Sequence, residues 1–366
     1  MRILIAGGGT GGHVIPGLAI AREMRDRYGA EVRFIGTARG IETRLVPGAG
    51  FALDLIRVGQ LNRVSLRTRV RTLADLPVGA LHCVRLLRSF RPDAVVGVGG
   101  YASGPAMMAA ILLRIPTLAY EPNAVPGMTN RIVGRRVSAA AVNFAESLRY
   151  FRNGVVTGVP VRREFFALPP RPPEARPRLL VFGGSQGAQA LNNAVPAVAS
   201  ALFRSVPGLT ILHQAGERHV DATQELYLAS GADGDRWQVT AFLDDMPARF
   251  AEASLILCRS GSSVAELAAA AKPAILVPFP RAANDHQRVN AEAFARAGAA
   301  EMILEAERTP EHLLGRLRAL LTETEALGRM AEAARSLGRP DALTRIATML
   351  AELSAKPRGA KRNLQA

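Results

Sequence analysis

Cysteine, lysine and long apolar runs are what this 366-residue chain has least of. Its two cysteines, Cys83 and Cys258, stand far apart without metal-ligand spacing. That excludes a disulfide framework and a zinc motif, and it predicts two buried, reduced thiols. The longest nearly apolar run, Gly104 to Leu113, stops at Arg114 and is too short to cross a bilayer. Met1 to Ala6 has neither the charged region nor the apolar core of a secretory signal, so a cytoplasmic location is expected. No convincing Asp-x-Asp stands ready to hold a divalent metal: Asp233-Gly234-Asp235 lies between a predicted helix and strand and reads as a turn. With no Ser-His-Asp arrangement either, neither a metal nor a cofactor is expected.

Of the 46 basic residues only Lys272, Lys356 and Lys361 are lysine, and the other 43 are arginine; against 31 acids they give a formal charge of +15. Their placement says more than their number. Between Arg57 and Arg91 lie Arg63, Arg67, Arg69, Arg71, Arg85 and Arg88, with Asp75 as the one acid and Phe90 as the one aromatic. So few rings argue against single-stranded nucleic acid as a partner. Leu66, Val70, Leu73 and Leu76, then Leu81, Val84 and Leu87, recur there at helical spacing. Apolar and cationic residues together suit contact with anionic lipid; a core-facing helix with a solvated arginine face fits the same pattern.

What the chain does have is glycine turns. Arg2 to Ala6 is a short apolar run, read as a strand buried on both faces of a parallel sheet. Gly7-Gly8-Gly9-Thr10-Gly11-Gly12 follows, then His13, and Val14-Ile15-Pro16 is expected to open an amphipathic helix with Pro16 in its first turn. Strand, glycine turn and helix N-terminus together make an anion site. The device returns at Leu179 to Gly187, and further turns occur at Gly99–Pro105 and Arg259–Ser263. Two domains facing each other across a cleft are expected, each holding a phosphate group.

Between these turns strands and helices alternate, as in βαβ units. Strands are expected at 31–35, 94–98, 116–120, 137–142, 179–184, 209–213, 238–241, 255–258 and 274–277. Helices are expected near 39–46, through the basic region, and at 103–113, from 188, 262–271 and 285–297. The proline-rich stretch Leu168 to Arg178 is a stiff connection at or just past a domain boundary. Residues 1–161 and 162–340 are read as the two domains, 341–353 as a final helix, and 355–366 as a disordered basic tail.

Gly7-x-Gly9-x-x-Gly12 also matches a dinucleotide fingerprint, but the second strand ends in Gly36-Thr37 without the acid that would hold a ribose. A nicotinamide cofactor is therefore not expected. His13 stands where a helix N-terminus keeps an imidazole neutral and able to take a proton. Glu266, one turn into its helix, could accept both hydroxyls of a ribose. The polar loop Pro278 to Gln287, with Asn290, suits the hydroxyls of a sugar.

Taken in order, Gly8 to His13, Gly99-Gly100-Tyr101 with Ser103-Gly104-Pro105, Asn123 to Gly127, Gly183 to Gly187, and Glu266 through Gln287 resemble the motifs of the MurG family. These are the N-acetylglucosaminyltransferases of bacterial peptidoglycan synthesis, and the resemblance runs from about residue 2 to 352. It implies an α/β, GT-B architecture: two Rossmann-like, doubly wound domains separated by a cleft, with the last helix returning to the first. It implies inverting transfer of GlcNAc from UDP-GlcNAc to the C4 hydroxyl of MurNAc in undecaprenyl-linked lipid I, giving lipid II. Matched position by position, Thr10, Gly11, Gly12, Asn123, Arg162, Ser185, Leu243, Glu266 and Gln287 become donor contacts. His13 becomes the general base, and Gly9, Gly100, Tyr101, Ser103 and Gly104 face the acceptor diphosphate. The Arg57–Arg91 region becomes a membrane face, placing the protein peripherally on the cytoplasmic side of the inner membrane. Other cell-wall synthesis proteins as partners, and roles in cell shape and division, follow from the same resemblance. The chain departs from the family pattern at Pro122, at Val159 and in a shorter turn before Glu266. A nucleotide-sugar epimerase of the same architecture and a non-catalytic membrane scaffold are the rival readings.

Overall fold

The structure, a computed structural model, describes residues 1–355 apart from 39, 57–65, 101, 170–171, 173–174 and 185, and gives only the backbone of 66–77. It divides into two compact units, Met1–Pro160 with the chain from Asp341 onward, and Val161–Pro340.

The first unit is built on β1 (Arg2–Gly7), β2 (Glu31–Gly36), β3 (Ala52–Leu55), β4 (Ala94–Gly99), β5 (Thr117–Glu121), β6 (Ala139–Val142) and β7 (Gly154–Val156), in the order β3-β2-β1-β4-β5-β6-β7. The second has β8 (Arg178–Phe182), β9 (Thr210–Gln214), β10 (Trp237–Thr240), β11 (Leu255–Cys258), β12 (Ala274–Leu276) and β13 (Ala300–Met302), in the order β10-β9-β8-β11-β12-β13. Every pairing is parallel. Helices therefore cover both faces of each sheet, and the central strands are continuous apolar runs: Ile3 to Ala6 and Leu255 to Cys258 are fully buried.

In both sheets the strand order reverses once, between β1 and β4 and between β8 and β11. In such a sheet, loops leaving the carboxyl ends of the two central strands part company and open a crevice. The glycine turns leave those four strand ends. Topology alone thus gathers them into two pairs, one pair per unit.

Three strands, β3, β7 and β13, go beyond what the sequence pattern predicts. Each lies at a sheet edge or beside it and has only three or four residues, too few for periodicity to register. The first helix also differs. It runs Gly11–Tyr28, so Pro16 lies five residues in rather than in the first turn and has no N–H to give the Gly12 carbonyl. Nor is it simply amphipathic, because it is packed from two sides. Val14, Leu18, Ile20, Ala21 and Met24 are buried as the helix packs on β1, β2 and β4 and on the terminal helix Ala342–Ala355. Tyr28 Oη and Thr348 Oγ1, 3.3 Å apart, join the two helices.

The basic helix Leu66–Phe90 splits its apolar residues. Cys83, Leu86, Leu87 and Phe90 turn into the core, whereas Val78 and Leu81 are exposed beside His82 and Arg85. The stripe expected from Leu81, Val84 and Leu87 therefore does not share one environment. Arg57 and Arg63, and the side chains of Arg67, Arg69 and Arg71, lie outside the described residues, as does the tail from 356. Among the described residues no helix is long and apolar enough to cross a membrane. Both cysteines are buried and unpaired, and burial pushes the Cys83 thiol up to about 11.

Candidate functional site

In the first unit the turns after β1 and β4 are pressed backbone to backbone. The Gly8 amide donates to the Gly99 carbonyl at 3.3 Å. A Cβ on Gly7 would come within 2.4 Å of Val98, and one on Gly100 within 2.3 Å of the Gly8 carbonyl oxygen. The glycines exist first of all because two chains must touch.

His13 lies in the first turn of the helix Gly11–Tyr28, half-buried. Its Nδ1 is 3.2 Å from the Gly8 carbonyl oxygen and 3.4 Å from Thr10 Oγ1. A carbonyl can only accept, so Nδ1 carries the proton and Nε2 is the basic nitrogen. The ring also packs over Gly99, where a Cβ would sit 2.8 Å from it. An imidazole held with Nδ1–H on a carbonyl presents Nε2 as the nitrogen suited to take a proton.

The residue that sequence reasoning misses here is Glu42. It is 1% exposed and accepts from the Gly9 amide at 2.7 Å, the Thr37 amide at 2.9 Å and Thr37 Oγ1 at 3.0 Å. Burial works against its charge, but these hydrogen bonds outweigh it and hold the carboxyl below the usual range. The Gly9 amide, read from the sequence as pointing outward to an anion, instead points into this carboxylate. Only the flanking glycines hint at Glu42: a Cβ on Gly8, Gly36 or Gly40 would strike it.

Asn123 is half-buried, and its N and Nδ2 both donate to Glu121 Oε1, at 3.0 and 3.1 Å. Glu121 also accepts from the Gly127 amide and Asn130 Nδ2, both at 3.0 Å. This buried carboxylate shapes the whole 121–127 loop; burial raises its pKa against the pull of those donors. Ser103 disagrees with expectation. Its hydroxyl is fully buried, has no hydrogen-bond partner among the described residues, and faces Gly97 in β4, so its side chain turns into the fold. Gly104 and Gly100 lie beside Thr129. Tyr101 and Ser185 fall outside the described residues.

The second unit carries Gln287, and it brings Glu266 near Arg162. The turn after β11 is tied to the helix His286–Arg296: Ser260 Oγ donates to the Gln287 carbonyl at 2.7 Å, and Asn290 Nδ2 donates to the Ser260 carbonyl at 3.1 Å. Gln287 Oε1 accepts from the Phe279 amide at 3.0 Å, which aims the amide nitrogen at the turn. Arg259 bonds the Val277 and Pro278 carbonyls and pairs with Glu305 at 2.6 Å. A recess of about 470 Å³ opens here, lined by Gly183, Gly187, Gln189, Arg259, Gln287 and Arg308 among others.

Glu266 lies in the short helix Ser263–Ala269. Burial raises its carboxyl to about 7, while the nearby Arg162 pulls it down. At neutral pH it is thus poised between acceptor and donor rather than being a plain carboxylate. Leu243 follows β10, half-buried. Behind the turn after β8, His213 is fully buried, with Nδ1 3.1 Å from Tyr227 Oη and Nε2 3.1 Å from Asn192 Oδ1. Asn192 Nδ2 in turn donates to the Ala215 carbonyl at 2.9 Å. Burial drops the imidazole to about 3, so it is neutral and structural. Asp233 caps the Asp235 amide at 3.2 Å and forms a turn, not a ligand pair.

Of the residues expected to contact the donor, Thr10, Gly11, Gly12 and Asn123 belong to the first unit and Arg162, Leu243, Glu266 and Gln287 to the second.

The N-terminal domain profile of glycosyltransferase family 28 matches residues 3–142, and its C-terminal domain profile matches 178–346. The protein named UDP-N-acetylglucosamine--N-acetylmuramyl-(pentapeptide) pyrophosphoryl-undecaprenol N-acetylglucosamine transferase in Anaeromyxobacter sp. (strain Fw109-5) is 47% identical over 359 residues, covering 96% of this chain and 93% of its own. Its namesake in Solibacter usitatus is 46% identical, covering 96% of each. The chain belongs to the MurG family of glycosyltransferases. The crystal structure of Acinetobacter baumannii MurG superposes with a TM-score of 0.79 at 32% identity, covering 96% of this chain and 99% of that one. A UDP-GlcNAc 2-epimerase from Neisseria meningitidis, bound to UDP-GlcNAc, gives 0.68 at 14% identity over 96% of this chain and all of its own. At that identity it shares the fold alone. The two-sheet α/β GT-B architecture is thus a property of the MurG family, and this member is a hexosyltransferase.

Proposed function

We propose that this chain transfers GlcNAc from UDP-GlcNAc to the C4 hydroxyl of MurNAc in lipid I, with inversion, to form lipid II. The observation that carries this reading is 46–47% identity over 96% of the chain to relatives named for that transfer. Epimerases share only the fold, so no observation favours the rival.

The second unit takes the donor. Glu266 meets the ribose, the backbone at Leu243 the uracil, Ser185 and its turn the diphosphate, and Gln287 the sugar, with Arg162 beside Glu266. Thr10, Gly11, Gly12 and Asn123 are the further donor contacts of this reading. Gly100, Tyr101, Ser103 and Gly104 are the acceptor-diphosphate contacts of this reading. His13 Nε2 takes the proton of the C4 hydroxyl as its oxygen bonds the anomeric carbon. The bond from that carbon to the phosphate oxygen breaks, and UDP leaves with the electron pair. General base catalysis contributes about 10²–10⁴-fold. Val78 and Leu81, exposed beside Arg85, support peripheral contact with an anionic membrane on its cytoplasmic side. Cell-wall synthesis proteins are partners in this reading, and cell shape and division its biological setting.

Incubation with labelled UDP-GlcNAc and a lipid I analogue tests it. Label in a disaccharide lipid together with released UDP is expected; epimerised donor without acceptor, or no transfer, refutes it.

A further inference from the structure

Glu42 and His13 grip the same peptide group from opposite ends. The Gly8 carbonyl and the Gly9 amide belong to one peptide bond. His13 Nδ1 is 3.2 Å from that oxygen, and Glu42 Oε2 accepts from that nitrogen at 2.7 Å. We propose that Glu42 is a positioning residue for the catalytic base, acting on His13 through the Gly8–Gly9 peptide. This rests on His13 being the base.

The physical chemistry is that of a hydrogen-bonded chain in a low-dielectric setting, where each bond polarises the next. A carboxylate on the amide pulls the proton outward and leaves the carbonyl oxygen more negative. That oxygen then holds the Nδ1 proton more firmly. The imidazole is fixed in one tautomer and one orientation, and the positive charge that forms when Nε2 takes a proton is stabilised. A directly bonded carboxylate serves catalytic histidines in the same way elsewhere; here a peptide group is interposed.

Several features point to a charge kept here for a purpose. Glu42 is fully enclosed, and the Gly9 amide, the Thr37 amide and hydroxyl and its own backbone amide bond to its carboxylate. The wall around it is made of glycines at 8, 36 and 40, any of which would clash with it as alanine. A buried, ionised carboxylate is expensive to maintain. For filling space alone, an apolar side chain would serve better.

Glu42→Gln in the full-length protein is the test, because it keeps the shape and removes the charge. We expect kcat to fall about tenfold with the UDP-GlcNAc KM unchanged within about twofold, the mark of an interaction made in the transition state. ¹⁵N-edited spectra of the His13 ring should show Nδ1–H in the wild type and a shift toward Nε2–H in the variant. A folded variant with wild-type kcat overturns the proposal, and so does a loss of kcat with the tautomer unmoved, which would make Glu42 merely structural. Should Glu42→Gln fail to fold, the wild-type spectrum still decides, since an Nε2–H imidazole there overturns the relay. A His13→Ala variant that keeps its turnover refutes the base assignment itself. Retained turnover in Glu42→Gln alone refutes only the relay.

Discussion

After β1 the glycine turn closes around a carboxylate; after β8 it closes around a carbonyl. A Cβ on Gly8 would lie 2.2 Å from Glu42 Oε1, whereas one on Gly187 would lie 1.7 Å from the Ala215 carbonyl oxygen. The first turn therefore carries a fixed negative charge. Because that carboxyl is held below its ordinary range, its stabilising bonds are present at neutral pH and fail only as pH falls through that range. The second turn borders Arg259 and Arg308. Glycine spacing announces that something approaches the backbone closely, and the neighbour decides what the turn can do. A turn occupied by an anion suits a base that must become positive, and a turn beside arginines suits a diphosphate.

The sharpest way to break this contrast is at its functional ends. His13→Ala should lower kcat by about 10²–10⁴-fold while leaving UDP-GlcNAc affinity nearly unchanged. Steady-state kinetics paired with calorimetry separate the two effects. Near wild-type turnover would remove the chemical distinction between the turns.

Next in size is the contrast in what each turn touches. Gly9 has φ +91° and open space for 4 Å around the place a Cβ would take, while Gly187 has φ +70° with the Ala215 backbone in the way. Gly9→Ala should cost about 1–3 kcal/mol of backbone strain. Gly187→Ala carries similar strain plus a clash that backbone cannot relieve, and should cost about 3 kcal/mol or more. Urea melts would rank them, and equal losses would show that the neighbours do not matter.

Much of this is legible in the residues because it depends on local pattern. Short apolar runs followed by glycine mark the central strands, and ordered motifs carry the family resemblance. What escapes detection depends on partners distant in sequence. Glu42 meets Gly9 across 33 positions, and nothing local distinguishes it from a solvated helix residue. Glu121 stands in plain view within a polar loop, yet its four donors only converge once the loop folds back. The inward turn of Ser103 is likewise set by packing against a neighbouring strand.

The mildest expected effect concerns Glu266, whose carboxyl is raised to about 7 by burial despite Arg162. Its two protonation states should leave opposite marks on stability and binding. In the unbound protein the folded state keeps a proton that the unfolded chain releases near 4.5. Stability therefore falls as pH rises between those values, by up to a few kcal/mol. Donor binding should move the other way, because the ionised form accepts from both ribose hydroxyls where the neutral form gives up one acceptor. UDP-GlcNAc is the right probe, since its diphosphate is esterified at both ends and does not titrate in this range. Affinity in the wild type should rise about tenfold from pH 6 to 8, one charged hydrogen bond's worth. Glu266→Gln should flatten both curves, matching the wild-type affinity at pH 6 and falling short of it at pH 8. A variant with the wild-type pH dependence of affinity would move the ribose contact elsewhere and leave Glu266 as an internal partner of Arg162.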